Sequence, residues 1–317
     1  IRGSSGELDV RNSGQLVNII LFESQGNSST SGELGFTNFH DGTLEPNGTF
    51  SYSAQTGSLN YLISADVTSG YEYQESREVS FLADNSLNDT RDFDRIREQT
   101  TYRLNSNVVY QPSPTDRIAF NFLYSESDPP SSLSRTITNY QTPNAAVTYE
   151  REDLPSTQDN WELGGDYEHN FGNGGKYKFL FIVNEEDRAT TRESFVSTVL
   201  GGAETKDLFL DTYSKYQERI ARTSYTWPVA AEQSLELGVE GAQTIQNSAL
   251  RLGLNLPGET SADFGGLRPM PVPNAFSEVE EVRFEGFAIH NWQINSRISL
   301  ESSLFYEISE IDQSGDI

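Results

Sequence analysis

Apolar residues recur at every second position in this chain, in one run after another. "SLNYLISADV" puts Leu59, Tyr61, Ile63, Ala65 and Val67 on one face, and "TYRLNSNVVY" does the same with Tyr102, Leu104, Val108 and Tyr110. Ile118, Phe120, Phe122 and Tyr124 follow, then Tyr177, Phe179, Phe181 and Val183, then Leu235, Leu237 and Val239, and finally Ile298, Leu300, Leu304, Tyr306 and Ile308. Period two is the signature of a strand with one apolar face. No stretch carries a convincing helical period. The runs predict strands over 32–39, 48–56, 58–69, 101–111, 116–126, 160–171, 176–186, 207–227, 233–246, 279–292 and 297–309.

The connections carry a second signal. "TGS", "QPSPTD", "GNGG", "WPVAAEQ" and "QINSR" are short and rich in turn formers, as hairpins require. They alternate with long segments near 70–100, 128–158, 187–206 and 247–277. A transmembrane barrel produces this alternation, because short turns gather at one membrane surface and long ones at the other. A tilted strand of ~9–11 residues crosses a bilayer, and these strands are long enough. Tyr110, Phe120, Phe171, Tyr177, Trp227 and Trp292 lie near the short turns and predict an aromatic girdle at that interface.

Composition agrees. Only 35% of the residues are hydrophobic, too few for a large core, while aromatics reach 11%. A barrel needs no large apolar interior, and a disordered acidic chain would be poor in aromatics. The net charge of -25 argues against nucleic acid as a partner. Cysteine is absent, which removes disulfides and thiolate metal sites. The expected lipid-facing set is Leu59, Tyr61, Ile63, Tyr102, Leu104, Ile118, Phe120, Phe122, Phe179, Phe181, Leu235, Leu237, Leu300 and Leu304.

The opening stretch reads differently. "RGSSGELDVRNSGQLVNIILFES" is punctuated by Gly3, Gly6 and Gly14, then becomes apolar on both faces through "LVNIIL". A strand covered on both sides has that pattern. With Arg2 and Gly3, Gly6, Gly14 and Val17-Asn18-Ile19-Ile20, the stretch resembles the end of the plug domain of TonB-dependent outer-membrane receptors. The commonest form has a double glycine before the V-N-I, where this chain has "GQLVNIIL".

The resemblance implies a plug end over 1–24 and the first half of a transmembrane barrel over 25–317, about 11 of an expected 22 antiparallel up-and-down strands. It implies energy-coupled import of a scarce solute, a ferric siderophore, a carbohydrate or a similar bulky nutrient, across the outer membrane of a Gram-negative bacterium. The partners it implies are outer-membrane lipid, the TonB complex of the inner membrane through a missing N-terminal part, and a small-molecule or oligosaccharide substrate. It also implies pairing between plug arginines and barrel glutamates, with Arg2 matching the motif arginine; alternation makes inward-facing Glu236 and Glu240 candidate partners. The absence of an initiator Met, the odd strand count and the unclosed "EISEIDQSGDI" end all read as a piece of a longer protein.

Sites of other kinds have little support. Asp84, Asp89, Asp92 and Asp94 crowd one predicted loop, but lack the spacing of a calcium loop, and a solvated acidic loop is the expectation. Phe264, Arg268, Met270 and Phe276 sit in a proline-rich segment placed to fold over a lumen and touch substrate. His40, His169 and His290 lie apart, and no catalytic or nucleotide-binding motif appears. The expectation is therefore no enzyme, no cofactor and no metal. Two other readings stay open, a passive outer-membrane porin without a plug and a soluble secreted glycan-binding β-protein.

Overall fold

The computed structural model describes residues 28–315. The plug-like stretch, with Arg2, Gly3, Gly6, Gly14 and Val17 to Ile20, lies outside the described residues. What is described is one antiparallel sheet of fourteen strands. They are β1 (Ser28–Asn38), β2 (Leu44–Thr56), β3 (Leu59–Phe81), β4 (Leu87–Tyr110), β5 (Asp116–Asp128), β6 (Ser131–Asn139) and β7 (Ala146–Leu154). Next come β8 (Ser156–Asn170), β9 (Lys176–Ser197), β10 (Thr205–Ala230), β11 (Gln233–Leu254), β12 (Arg268–Met270), β13 (Phe276–Asn295) and β14 (Ile298–Gly315). Among the described residues the only helical element is a single 3-10 turn, Ala262–Phe264.

The sheet is a meander, and its main path holds eleven strands. These match the eleven read from the sequence. The other three are continuations of wall strands past proline breaks. β5 leaves β4 at the pair Thr100 and Asp128, and β6 rejoins β4 at Arg97 and Ser131, with Pro129 and Pro130 between. The ladder keeps a bond there, since the Glu98 amide donates to the Pro130 carbonyl at 3.1 Å. β7 and β8 are joined across Pro155 in the same way, with the Thr191 amide donating to its carbonyl at 3.0 Å. β12 and β13 flank Pro271 and Pro273 along β11. Proline has no N–H to give a ladder, so each of these strands breaks but does not leave the wall.

This corrects the expected long loops. Most of 70–100 is strand, with a turn only at Leu82–Ser86, and 128–158, 187–206 and 247–277 are likewise strand for much of their length. β4 alone spans 24 residues, about 80 Å of strand. The reason is that both faces there are polar, so the apolar alternation vanishes while Thr, Ser, Tyr and Val keep the backbone extended. Facing charges replace the apolar pairs. Glu72 pairs with Arg97 at 3.3 Å, Arg77 with Asp92 at 3.4 Å and Arg251 with Asp211 at 3.6 Å, each between directly opposed residues.

There is almost no core. The buried apolar residues are Ala119, Leu133, Ala242, Leu267 and Phe287, and among the described residues no large side chain is fully buried. Leu304 is 73% exposed and Tyr306 70%.

Hydrogen exchange on the protein in detergent tests the extended wall. Amides of β3 and β4 between residues 72–80 and 88–98 should exchange at least an order of magnitude more slowly than those of the 82–86 turn. Uniformly fast exchange across 70–100 would restore the loop.

Candidate functional site, a two-faced wall

Directly opposed residues in a ladder share a face, so the register sorts every side chain. One row reads Tyr61, Val108, Phe120, Gly165, Phe181, Ala221, Gly241, Phe284 and Ile308 across successive strands from β3 to β14. The row beside it reads Leu59, Tyr110, Ile118, Tyr167, Phe179, Thr223, Val239, Gly286 and Tyr306. All fourteen residues of the expected lipid-facing set stand on this face, and none is buried. Along β4 the apolar face runs from Tyr102 to Tyr110, about 26 Å of strand. Tilted by ~40°, that is about 20 Å, close to the apolar band of a spanning barrel.

Aromatic rings cluster where this belt meets the short turns. His169 and Phe171 lie 4.4 Å apart, Phe171 and Tyr225 5.6 Å, and Tyr225 stacks on Trp227 at 5.5 Å. Phe120 leaves the expected girdle. It packs edge-on to Phe181 at 6.4 Å inside the belt, because β5 starts below it at Asp116. Asp116 anchors this rim, accepting from Ser113 Oγ at 2.5 Å and Tyr167 at 2.8 Å and meeting His169 Nδ1 at 2.7 Å. The Ser113 hydroxyl, then His169 and Tyr167, hold its carboxyl well below the usual carboxylate range. At the opposite rim the Tyr71 hydroxyl, then the Thr43 amide, lower Asp41 to about 2.

The other face is polar, and its contacts form a continuous series. Asp66 pairs with Arg103 at 3.3 Å, Asn107 hydrogen-bonds Asn121, and Arg117 pairs with Asp166. Glu168 meets Lys178 at 3.9 Å, and Asn184 donates to Glu218 at 3.0 Å. Glu240 takes Arg222 at 3.9 Å and Arg283 at 3.0 Å, and Arg283 reaches Glu307 at 3.8 Å. Every step from β3 to β14 along the main path is thus bridged by a polar contact on the face opposite the belt.

Glu240 sits in the tightest part. Arg222 is 7% exposed, and its guanidinium lies 4.2 Å above the Phe287 ring. Gly238 makes room for that ring, since a Cβ there would lie 2.2 Å from it and 2.8 Å from the Thr223 carbonyl. Glu236 and Glu240 share the polar face, as alternation required, but Glu240 is engaged by arginines of the wall itself. Alternation located Glu240; nothing in the sequence singled out Arg222 or Arg283, because a lone charge between apolar neighbours reads as any outward polar position.

The proline-rich segment is built less loosely than expected. Phe264 ends the 3-10 turn, which lies across Gly253 so closely that a Cβ there would be 2.5 Å from the Phe264 carbonyl. Arg268 and Met270 belong to β12, with Arg268 donating to the Pro257 carbonyl at 2.7 Å, and Phe276 opens β13. The acidic loop is corrected. Only Asp84 is in a turn, capping Ser86, while Asp89, Asp92 and Asp94 lie along β4. Asp89 and Asp92 pair with Arg91 and Arg77, and Asp94 accepts from Tyr73. Among the described residues no three acidic or histidine side chains converge to hold a metal.

No family model matches the chain, and no curated protein does. Among solved structures it overlaps the unliganded ferric citrate transporter FecA at 9% identity and a TM-score of 0.34, covering 90% of this chain and 56% of that one. It overlaps the siderophore receptor PiuA of Acinetobacter baumannii at 9% identity and 0.30, over 91% of this chain and 64% of that one. The toluene transporter TodX of Pseudomonas putida overlaps at 9% identity and 0.27, over 92% and 87%. The chain therefore spans a little over half the length of the first of these.

Removing the Glu240 carboxylate takes an acceptor from buried Arg222 and from Arg283, which keeps Glu307 at 3.8 Å. Glu240→Ala should cost about 2–4 kcal/mol, read by denaturant unfolding in detergent, and Glu240→Ala with Arg283→Ala together should recover part of it. A cost within error of zero would mean that the cluster is solvated. At the turn rim the sign follows from the depressed Asp116 pKa. Its contribution is present above the ordinary carboxylate value and lost as pH falls through the lowered one, so the rim should loosen only in strong acid, while Asp116→Asn should loosen it at pH 7.

Proposed function

We propose that this chain is part of the wall of an outer-membrane transport barrel of the TonB-dependent kind, with the belt against lipid and the polar face toward a lumen. The observation that carries the membrane reading is the one-sided belt, in register from strand to strand and, among the described residues, uncovered by any other element. An apolar surface of this extent is abnormal for a protein surrounded by water, and this counts against the soluble glycan-binding alternative. The polar series on the opposite face supports a wet or plugged lumen, since charges of this density have no place in a dry one.

The TonB-coupled part rests on the sequence of the opening stretch, Arg2 to Ile20. In this reading residues 1–24 end a plug, the rest begins the barrel, and a bulky scarce nutrient passes through the lumen. On this reading the Phe264–Met270 segment, which folds back on β11, is the part of the wall that first touches solute.

These 317 residues hold no cysteine, so each label site in them is introduced by design. Leu104→Cys and Asn105→Cys place a spin label on opposite faces of one strand, and the full-length protein goes into lipid vesicles. Label 104 should be relaxed by oxygen from the lipid phase and label 105 by a water-soluble nickel chelate. Equal responses would overturn the membrane wall. Energy coupling is read separately, as solute uptake that stops when the TonB complex is deleted; uptake that persists would mean a passive pore.

A further inference from the structure

Two asparagines in this chain are followed by glycine, Asn47 and Asn173. The dipeptide is chemically weak, because glycine has no side chain to keep its backbone nitrogen away from the asparagine amide. In sequence the two are equivalent, and the structure separates them. Asn47 is half-buried and held wherever the reaction would have to move it. Its Nδ2 donates to Thr37 Oγ1 at 3.2 Å, and its Oδ1 accepts from the Ser69 amide at 3.1 Å. Gly48 lies in the ladder between Leu34 of β1 and Val67 of β3. Leu34 also covers it, so closely that a Cβ at Gly48 would be 2.9 Å from the leucine Cδ2.

Asn173 is at the exposed tip of the β8–β9 hairpin. Two backbone bonds close that turn. The Phe171 amide donates to the Gly175 carbonyl at 2.7 Å, and the Gly174 amide to the Phe171 carbonyl at 3.0 Å. Gly174 is left-handed, with φ 81°, as a short hairpin loop of this kind requires. Glycine is therefore dictated by the turn, and the weak dipeptide comes with it. The Asn173 side chain has one bond, its Oδ1 accepting from the Gly175 amide at 2.9 Å. That bond draws electron density from the amide carbon, and among the described residues nothing holds Nδ2. The single Gly174 turn bond is all that must open to free the attacking nitrogen.

We propose that Asn173 is a site of spontaneous deamidation in the folded protein and that Asn47 is not. The Gly174 nitrogen bonds to Asn173 Cγ and gives its proton to water, the side-chain nitrogen leaves as ammonia, and a cyclic imide forms. Water then opens the imide at either carbonyl, to aspartate or to isoaspartate. Nothing is oxidised or reduced. Either product puts a new carboxylate on the short-turn rim, close to the ring of Phe171 that packs on Tyr225. Isoaspartate also lengthens the main chain of the loop.

The full-length protein in nonionic detergent is aged in mildly alkaline buffer beside the same protein in guanidinium chloride. In the denatured sample the two sites are equivalent and set the clock. Peptide fragmentation by mass spectrometry reads the amide-to-acid mass gain residue by residue. In the folded protein Asn173 should convert within a few-fold of the denatured rate. Asn47 should lag by about tenfold or more, the scale of its two side-chain hydrogen bonds. Equal rates at the two residues in the folded protein would overturn the proposal. So would an Asn173 that stays intact while the denatured protein converts. The comparison is made on the unaltered chain, so no variant has to fold.

Discussion

A slip of one residue between any two of these strands would exchange the faces of everything beyond it. The whole arrangement depends on that register. Hydrogen-bonded ladders alone do not select it, since a shifted ladder makes nearly as many bonds. The side chains do. A slip at β10 and β11 would put Leu237 opposite a polar-face residue and carry Glu240 away from Arg222. The polar bridges along the second face therefore act as register marks at each strand boundary. An isolated ion pair is worth little at a surface; a misplaced one here costs far more, because it moves a charge onto the apolar belt.

The same register explains how a chain with so little buried apolar surface holds one conformation. In water the belt would be a liability and the sheet would lack a core. Against hydrocarbon the situation reverses. The belt is solvated by lipid, and each backbone N–H and C=O inside it must be paired, which a continuous ladder achieves. Beyond the belt the constraint relaxes, and there the proline breaks occur, at Pro129, Pro130, Pro155, Pro271 and Pro273. A missing donor is tolerable where water reaches the backbone and costly where it does not.

How much of this was legible follows from what alternation reports. The eleven wall strands, the short turns and the face of each apolar residue came through, because one face was apolar and the other was not. The upper halves of β3, β4 and β9 did not, because polar and charged residues occupy both faces there and the pattern is weak; the end of β11 was also missed, although Leu250, Leu252 and Leu254 alternate. Thr, Ser, Tyr and Val in those stretches, with charges of opposite sign spaced to meet across a hairpin, were the available signal. Glu240 was readable from its position opposite Leu237 and Val239. Arg222 was not, since its burial comes from Phe287, a residue 65 positions away that only the β10–β11–β13 pairing brings beneath it.

The charge pattern of the upper wall is the last consequence of two independent faces. A loop would let every charge reach every partner, and the sign of a residue would say little about where it acts. A strand forbids that. Asp94 and Arg95 are adjacent in sequence and cannot meet, because the pleat points them apart. Each face of the upper wall thus carries its own ion pairs, Arg77 with Asp92 on one and Arg97 with Glu72 on the other, a few ångströms of backbone between them. An extended wall, in place of flexible loops, gives the polar face a fixed chemistry well above the belt.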